Sequence, residues 1–151
     1  MTAAGDPPRD PPDEPPGDQR LGLTVTHRCY VSYAHAHYAG NLVDGAYILG
    51  LFGDVATEVC IRTDGDEGLF ASYSDVQFIA AVRAGDVVEV VGRVVRVGSR
   101  SRALDLVARV VARGRPELSE SAATLLSAPV VAVTATGTVV VPSPARGADI
   151  E

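Results

Sequence analysis

The chain has 151 residues, enough for one domain, and carries thirteen basic against nineteen acidic residues for a net charge of −6. Every basic residue is an arginine and none form a cluster, so nucleic acid and anionic membrane surfaces are not expected partners. With 46% hydrophobic residues, 5% aromatics and no Trp, the core is expected to consist of Val, Ala, Leu and Gly. Cys29 and Cys60 are too few for a disulfide scaffold or a zinc site, and both are read as reduced residues of a cytoplasmic protein.

Residues 1–20 hold six prolines and five acidic residues, with only Leu-, Val-, Ile-, Phe- and Tyr-free sequence, and predict a disordered tail. The domain is expected over 21–142, followed by a frayed end at 143–151. No signal peptide is expected. Residues 21–34 read as a strand, with Leu23, Val25, His27, Cys29, Val31 and Tyr33 on one parity. A loop over 34–40 carries His35 and His37. Asn41 is then an N-cap for a helix to about Ile61 that is apolar almost all round, which marks a buried helix. Asp44, Asp54, Glu58 and three glycines within that run argue against a bilayer span.

An acidic loop over 63–68 precedes strands at 69–80, 86–97 and 102–113, the last two joined by a hairpin turn at 98–101. Residues 117–127 predict a short helix or ordered excursion, and 130–141 a closing strand. One antiparallel sheet of about five strands curled around one long central helix satisfies this order, an α+β arrangement. It leaves a sheet edge and part of the helix uncovered, so a homodimer or higher oligomer of dimers is expected.

Three strings carry a resemblance. Residues 36–46 read A-H-Y-A-G-N-L-V-D-G-A, residues 51–58 L-F-G-D-V-A-T-E, and residues 64–70 D-G-D-E-G-L-F. Together they resemble the 3-aminobutyryl-CoA ammonia-lyases of the hotdog-fold superfamily, over most of 27–142. Residues 78–88, F-I-A-A-V-R-A-G-D-V-V, also resemble the F-x-x-P-V-x-x-G-D segment of hotdog thioesterases, with Ala81 where proline is usual. The resemblance implies elimination of ammonia from a 3-aminoacyl-CoA to give an enoyl-CoA, or the reverse amination, with no cofactor beyond the coenzyme A of the substrate. Where hotdog thioesterases place a catalytic carboxylate in the helix, this chain has Phe52, and the dehydratase position falls on Leu51. A hotdog acyl-CoA thioesterase, using Asp44 or Asp54 to activate water, and a non-enzymatic acyl-CoA-binding subunit are the alternatives.

β-Elimination next to a thioester needs a base, an oxyanion stabiliser and a group for the leaving nitrogen. His37, Asp44 and Glu67 are the candidate catalytic residues. For each a plain reading stands beside the catalytic one: a loop histidine, a helix N-terminal acid and a solvated acidic turn. The turn containing Asn41 and Gly45 is expected to offer backbone amides to the thioester oxygen. Arg83, Arg100 and Arg102, at turns, are expected to meet the coenzyme A phosphates or simply to face solvent. Asp54 and Glu58 read as a polar stripe on the helix. The acidic loop has too few ligands for a calcium site, and no metal is expected.

Overall fold

The computed structural model describes residues 17–142. The frayed end expected at 143–151 and most of the expected tail lie outside them. Residues 17–20, assigned to that tail, are described: Arg20 donates to Asp18 and reaches Asp64 at 3.2 Å.

Strand β1 (Thr24–Tyr30) leads through two short helical turns and a small ribbon, β2 (Ala36–Tyr38) with β3 (Leu42–Val43), into helix α1 (Gly45–Asp64). Strands β4 (Leu69–Phe78), β5 (Val87–Val97), β6 (Ser101–Gly114) and β7 (Ala123–Val140) follow. The main sheet has five strands in the order β1-β5-β6-β7-β4, with every adjacent pair antiparallel. This is the α+β arrangement expected, a sheet wrapped on a single long helix.

Alternation fixes which face of the sheet meets the helix. Along β6, Leu104, Leu106, Ala108 and Val110 are buried, while Asp105 is exposed and Val107 and Arg109 are half-buried. From α1, Ile48, Phe52, Val55, Ala56, Val59 and Cys60 complete the core. Gly92 interrupts the valines of β5 because a Cβ there would come within 2.7 Å of Val55, so its absence lets the helix lie close on the sheet.

As expected, part of the helix is left uncovered by this chain, where Ala46, Gly50, Asp54, Ile61 and Arg62 are exposed. Two expectations are corrected, the first at the bounds of the helix. It begins at Gly45 and runs to Asp64, where Gly65 adopts a left-handed φ of 65° and returns its N–H to the Ile61 carbonyl. Residues 117–127 form no helix: after a turn, β7 starts at Ala123 and pairs with the far end of β6, Gly114 opposite Ala123 and Ala112 opposite Leu125.

The two edges of the sheet differ. β1 presents Arg28, whose guanidinium pairs with Glu89 on β5. β4 carries no Lys, Arg or Pro, and Leu69 and Phe78 at its ends and Ile79 just beyond are each at least 59% exposed. An edge with open backbone groups and exposed apolar side chains is suited to pairing with another chain.

Candidate active site

The helix starts later than Asn41 because that residue is in the left-handed region, φ 60°, and ends a separate short 3-10 turn, Ala39–Asn41. Asp44 is the N-cap instead, in extended backbone, with Oδ1 accepting the Tyr47 amide at 2.9 Å. Ribbon β2–β3 pairs Ala36 with Val43 and Tyr38 with Leu42, which returns His37 to the start of the helix. His37 Nδ1 lies 3.7 Å from Asp44 Oδ2. Thus one oxygen of Asp44 holds the helix and the other faces the imidazole. The amides of Gly45 and Ala46, not those directly after Asn41, head the helix, where intrahelical partners are lacking and the dipole is positive.

The turn before β5 supports this segment from behind. The Val43 amide donates to the Val82 carbonyl at 2.9 Å, and the Ala84 amide to the Asn41 carbonyl at 2.9 Å. Asp86, fully buried, secures that turn: its carboxylate accepts the Arg83 amide at 2.8 Å and both Nε and Nη2 of Arg113 at 2.9 and 2.8 Å. Asn41 therefore contributes through its backbone and its conformation. Arg83 is exposed and lines a small recess with Tyr33, Asn41 and Arg113 beside the start of the helix.

A cleft of about 410 Å³ opens at the helix start. Its walls are Val43, Ile48, Val82 and Val133 together with the chain from Phe78 to Ala81, and Tyr38 and Asp44 supply its polar side chains. A Cβ on Gly45 would stand 2.5 Å from the Phe78 ring, so only glycine permits the contact of β4 with the helix there. Phe78, Tyr38 and the Asp86–Arg113 pair were not singled out from the sequence. Phe78 and Asp86 stand in the motif at 78–88, which is the signal that could have found them.

Other candidates lie elsewhere. Glu67 is exposed at the opposite end of α1, and a helix of 20 residues is about 30 Å long, so within one chain it does not meet His37 or Asp44. Arg100 is in the turn at that same far end, its carbonyl accepting the Val141 amide. Arg102 contradicts the reading as a phosphate contact: it is 2% exposed, its Nη2 and Nε reach Asp64 at 2.6 and 3.1 Å, and its Nη1 donates to the Gly98 and Ser101 carbonyls. Burial pushes Asp64 up, but the hydrogen bonds from Arg102 and Thr63 outweigh it and leave the carboxyl below its ordinary 3.8.

The hydrogen bonds of His27 and Arg62 hold Glu58 below the usual carboxylate range, so Glu58 belongs to a surface ion cluster between β1 and α1. His35 rests against the Tyr47 ring, with centroids 4.4 Å apart. Burial pushes the Cys29 and Cys60 thiols up, which disfavours the thiolate, and both are free of disulfides. Phe52, at the position where a thioesterase carboxylate would stand, is wholly buried in the core. Among the described residues no group of His, Cys, Asp and Glu is placed to hold a metal, and no helix is long and apolar enough to cross a membrane.

The family model of the thioesterase superfamily matches residues 40–115. The 3-aminobutyryl-CoA ammonia lyase of Acetoanaerobium sticklandii is 51% identical over 107 residues, covering 71% of this chain and 85% of that protein. The structure of a β-alanyl-CoA:ammonia lyase from Clostridium propionicum superposes with a TM-score of 0.76 at 38% identity, covering 80% of this chain and 86% of that one. A hexameric hotdog-fold thioesterase of Campylobacter jejuni gives a TM-score of 0.63 at 19% identity, with 84% of each chain covered, and shares the fold.

Proposed function

Since the chain belongs to the thioesterase superfamily, with the hotdog fold, we propose a reaction on a coenzyme A thioester: elimination of ammonia from a 3-aminoacyl-CoA of the 3-aminobutyryl kind, or the reverse amination. The observation that carries this reading within the site is the His37–Asp44 pair at the head of α1, beside an apolar cleft and away from the helix positions that serve hydrolysis.

His37 takes the α-proton. Asp44, anchored to the helix by the Tyr47 amide, orients the imidazole and balances its positive charge; the 3.7 Å separation closes when substrate excludes water. The amides of Gly45 and Ala46 receive the thioester oxygen as negative charge builds on it. The electron pair freed from the C–H bond then forms the C=C bond and expels the β-nitrogen as ammonia. His37 passes on its proton, so ammonium and enoyl-CoA leave. No cofactor is required beyond the coenzyme A of the substrate.

The nitrogen needs a carboxylate, and Glu67 of a second copy fits. Antiparallel pairing of two β4 edges, centred on the strand, sets the start of one β4 beside the end of the other. Glu67 of the partner then lies next to Ala80 and Phe78, hence beside Asp44 and Gly45. Arg100 of the partner arrives with it, because β6 and β4 flank β7 at Val140, two strand spacings or about 10 Å apart. Arg100 and the local Arg83 would meet the coenzyme A phosphates from opposite subunits. The protein is thus read as a cytoplasmic homodimer, or an oligomer of dimers, with sites at the β4 edges.

Purified protein given 3-aminobutyryl-CoA is expected to release enoyl-CoA, seen by its absorbance, and ammonium, with no free thiol. Release of free thiol without ammonium would identify a thioesterase and overturn the proposal. Binding without turnover would identify the non-enzymatic subunit.

A further inference from the structure

We propose that Phe78 sets the length of the acyl chain, making the enzyme selective for short 3-aminoacyl thioesters; the inference rests on the ammonia-lyase reading and names the substrate class of the same site. Phe78 is the last residue of β4, and its ring lies on the first residue of α1, within 2.5 Å of where a Gly45 Cβ would be. The two residues are matched: the ring occupies the volume that a side chain at position 45 would take.

The polar groups of the cleft, Asp44 and Tyr38, are few, and the remaining lining is aliphatic or aromatic. The reacting carbons must sit by Asp44 and the amides of Gly45 and Ala46. Whatever extends past the β-carbon therefore enters the apolar part, between Val43, Ile48, Val133 and the Phe78 ring. A volume of about 410 Å³ must hold the acyl group together with the thioester end of its carrier arm. The Phe78 ring is the one aromatic group on this apolar side of the cleft, and its packing on Gly45 holds it at the helix start, next to where the reacting carbons must sit. Phe78 is nevertheless 59% exposed in the single chain, so truncating it removes a wall rather than a core side chain.

The test compares wild type with Phe78→Ala and the milder Phe78→Leu, using crotonyl-CoA and trans-2-octenoyl-CoA with ammonium as amination substrates. A hydrophobic pocket discriminates by about 10–200-fold per methylene. The octenoyl-to-crotonyl ratio of kcat/KM is therefore expected to rise by at least about 10-fold in Phe78→Ala, with Phe78→Leu between it and wild type. Binding of butyryl-CoA and octanoyl-CoA, followed by calorimetry, should move in the same direction, and this readout is independent of ammonia transfer. An unchanged ratio in folded variants of native mass overturns the inference while leaving the lyase reading intact. Dissociation of both variants to monomers with an unchanged preference between butyryl-CoA and octanoyl-CoA also overturns it, because Phe78 then serves only the β4 interface. Absence of amination in wild type, with the chain-length shift still present in binding, would instead remove the lyase reading and keep Phe78 as the gate.

Discussion

His37→Ala, Asp44→Asn and Glu67→Gln are each expected to lower lyase turnover by roughly 10²–10⁴-fold, the range for loss of a proton-transfer group or its partner. The folds should survive for different reasons. His37 and Glu67 are exposed. Asp44 caps the helix through Oδ1, and asparagine retains an oxygen able to accept the Tyr47 amide, whereas alanine at such a site costs about 1 kcal/mol. Circular dichroism and native mass separate damaged chemistry from a damaged fold. If all three variants keep near-normal turnover, the site is wrong. If Asp54→Asn alone abolishes activity, the chemistry lies further along the helix.

Asp64→Asn is expected to cost stability without touching chemistry. It removes the carboxylate that faces Arg102, a guanidinium 2% exposed, and stranding one partner of a buried pair costs about 3–5 kcal/mol. The loss should fall toward the lower end, about 3 kcal/mol, because the Gly98 and Ser101 carbonyls still accept from Arg102. Denaturant unfolding at neutral pH measures it. The pH dependence has a definite sign. Asp64 titrates lower in the folded chain than its ordinary 3.8, so its contribution is complete above that value and is lost as pH falls through the folded one. The gap between wild type and Asp64→Asn should narrow below pH 3.8, and a gap that stays constant would contradict the pairing.

The strands and the helix were legible because each keeps its own period: β5 and β6 alternate cleanly, and α1 shows apolar residues too dense for a strand. The helix start was misplaced because Asn41 and Asp44 are both good caps, and only the backbone decides between them. Asn41 takes the left-handed conformation that asparagine tolerates, while Asp44 takes the extended one that a cap needs. The first half of β7 is separated from the second by Pro129, a residue that by itself argues against a continuous strand. The structure places it where the β6–β7 register shifts, between the Val110–Val130 and Ala112–Leu125 pairs, and a bulge tolerates proline.

At the site, the residues adjacent in sequence could be read, and those brought in by folding could not. His37 and Asp44 fall within one short string, and the structure brings them together. Arg102 looked like a turn arginine free to meet phosphate, yet its carboxylate partner is 38 residues away at the end of the helix. Asp86 and Arg113, which brace the segment before Asp44, are also distant in sequence. Glu67 is the extreme case, since its proposed role exists only when two chains pair.

That shared site is tested most directly by mixing subunits. Asp44→Asn and Glu67→Gln proteins, each inactive alone, are unfolded together, refolded, and assayed for loss of enoyl absorbance from crotonyl-CoA and ammonium without thiol release. A mixed dimer places both substitutions in one site and leaves the other intact, so activity absent from either parent should appear. If the mixture stays as inactive as its parents while native mass shows that mixed dimers formed, Glu67 does not cross the interface and the account fails.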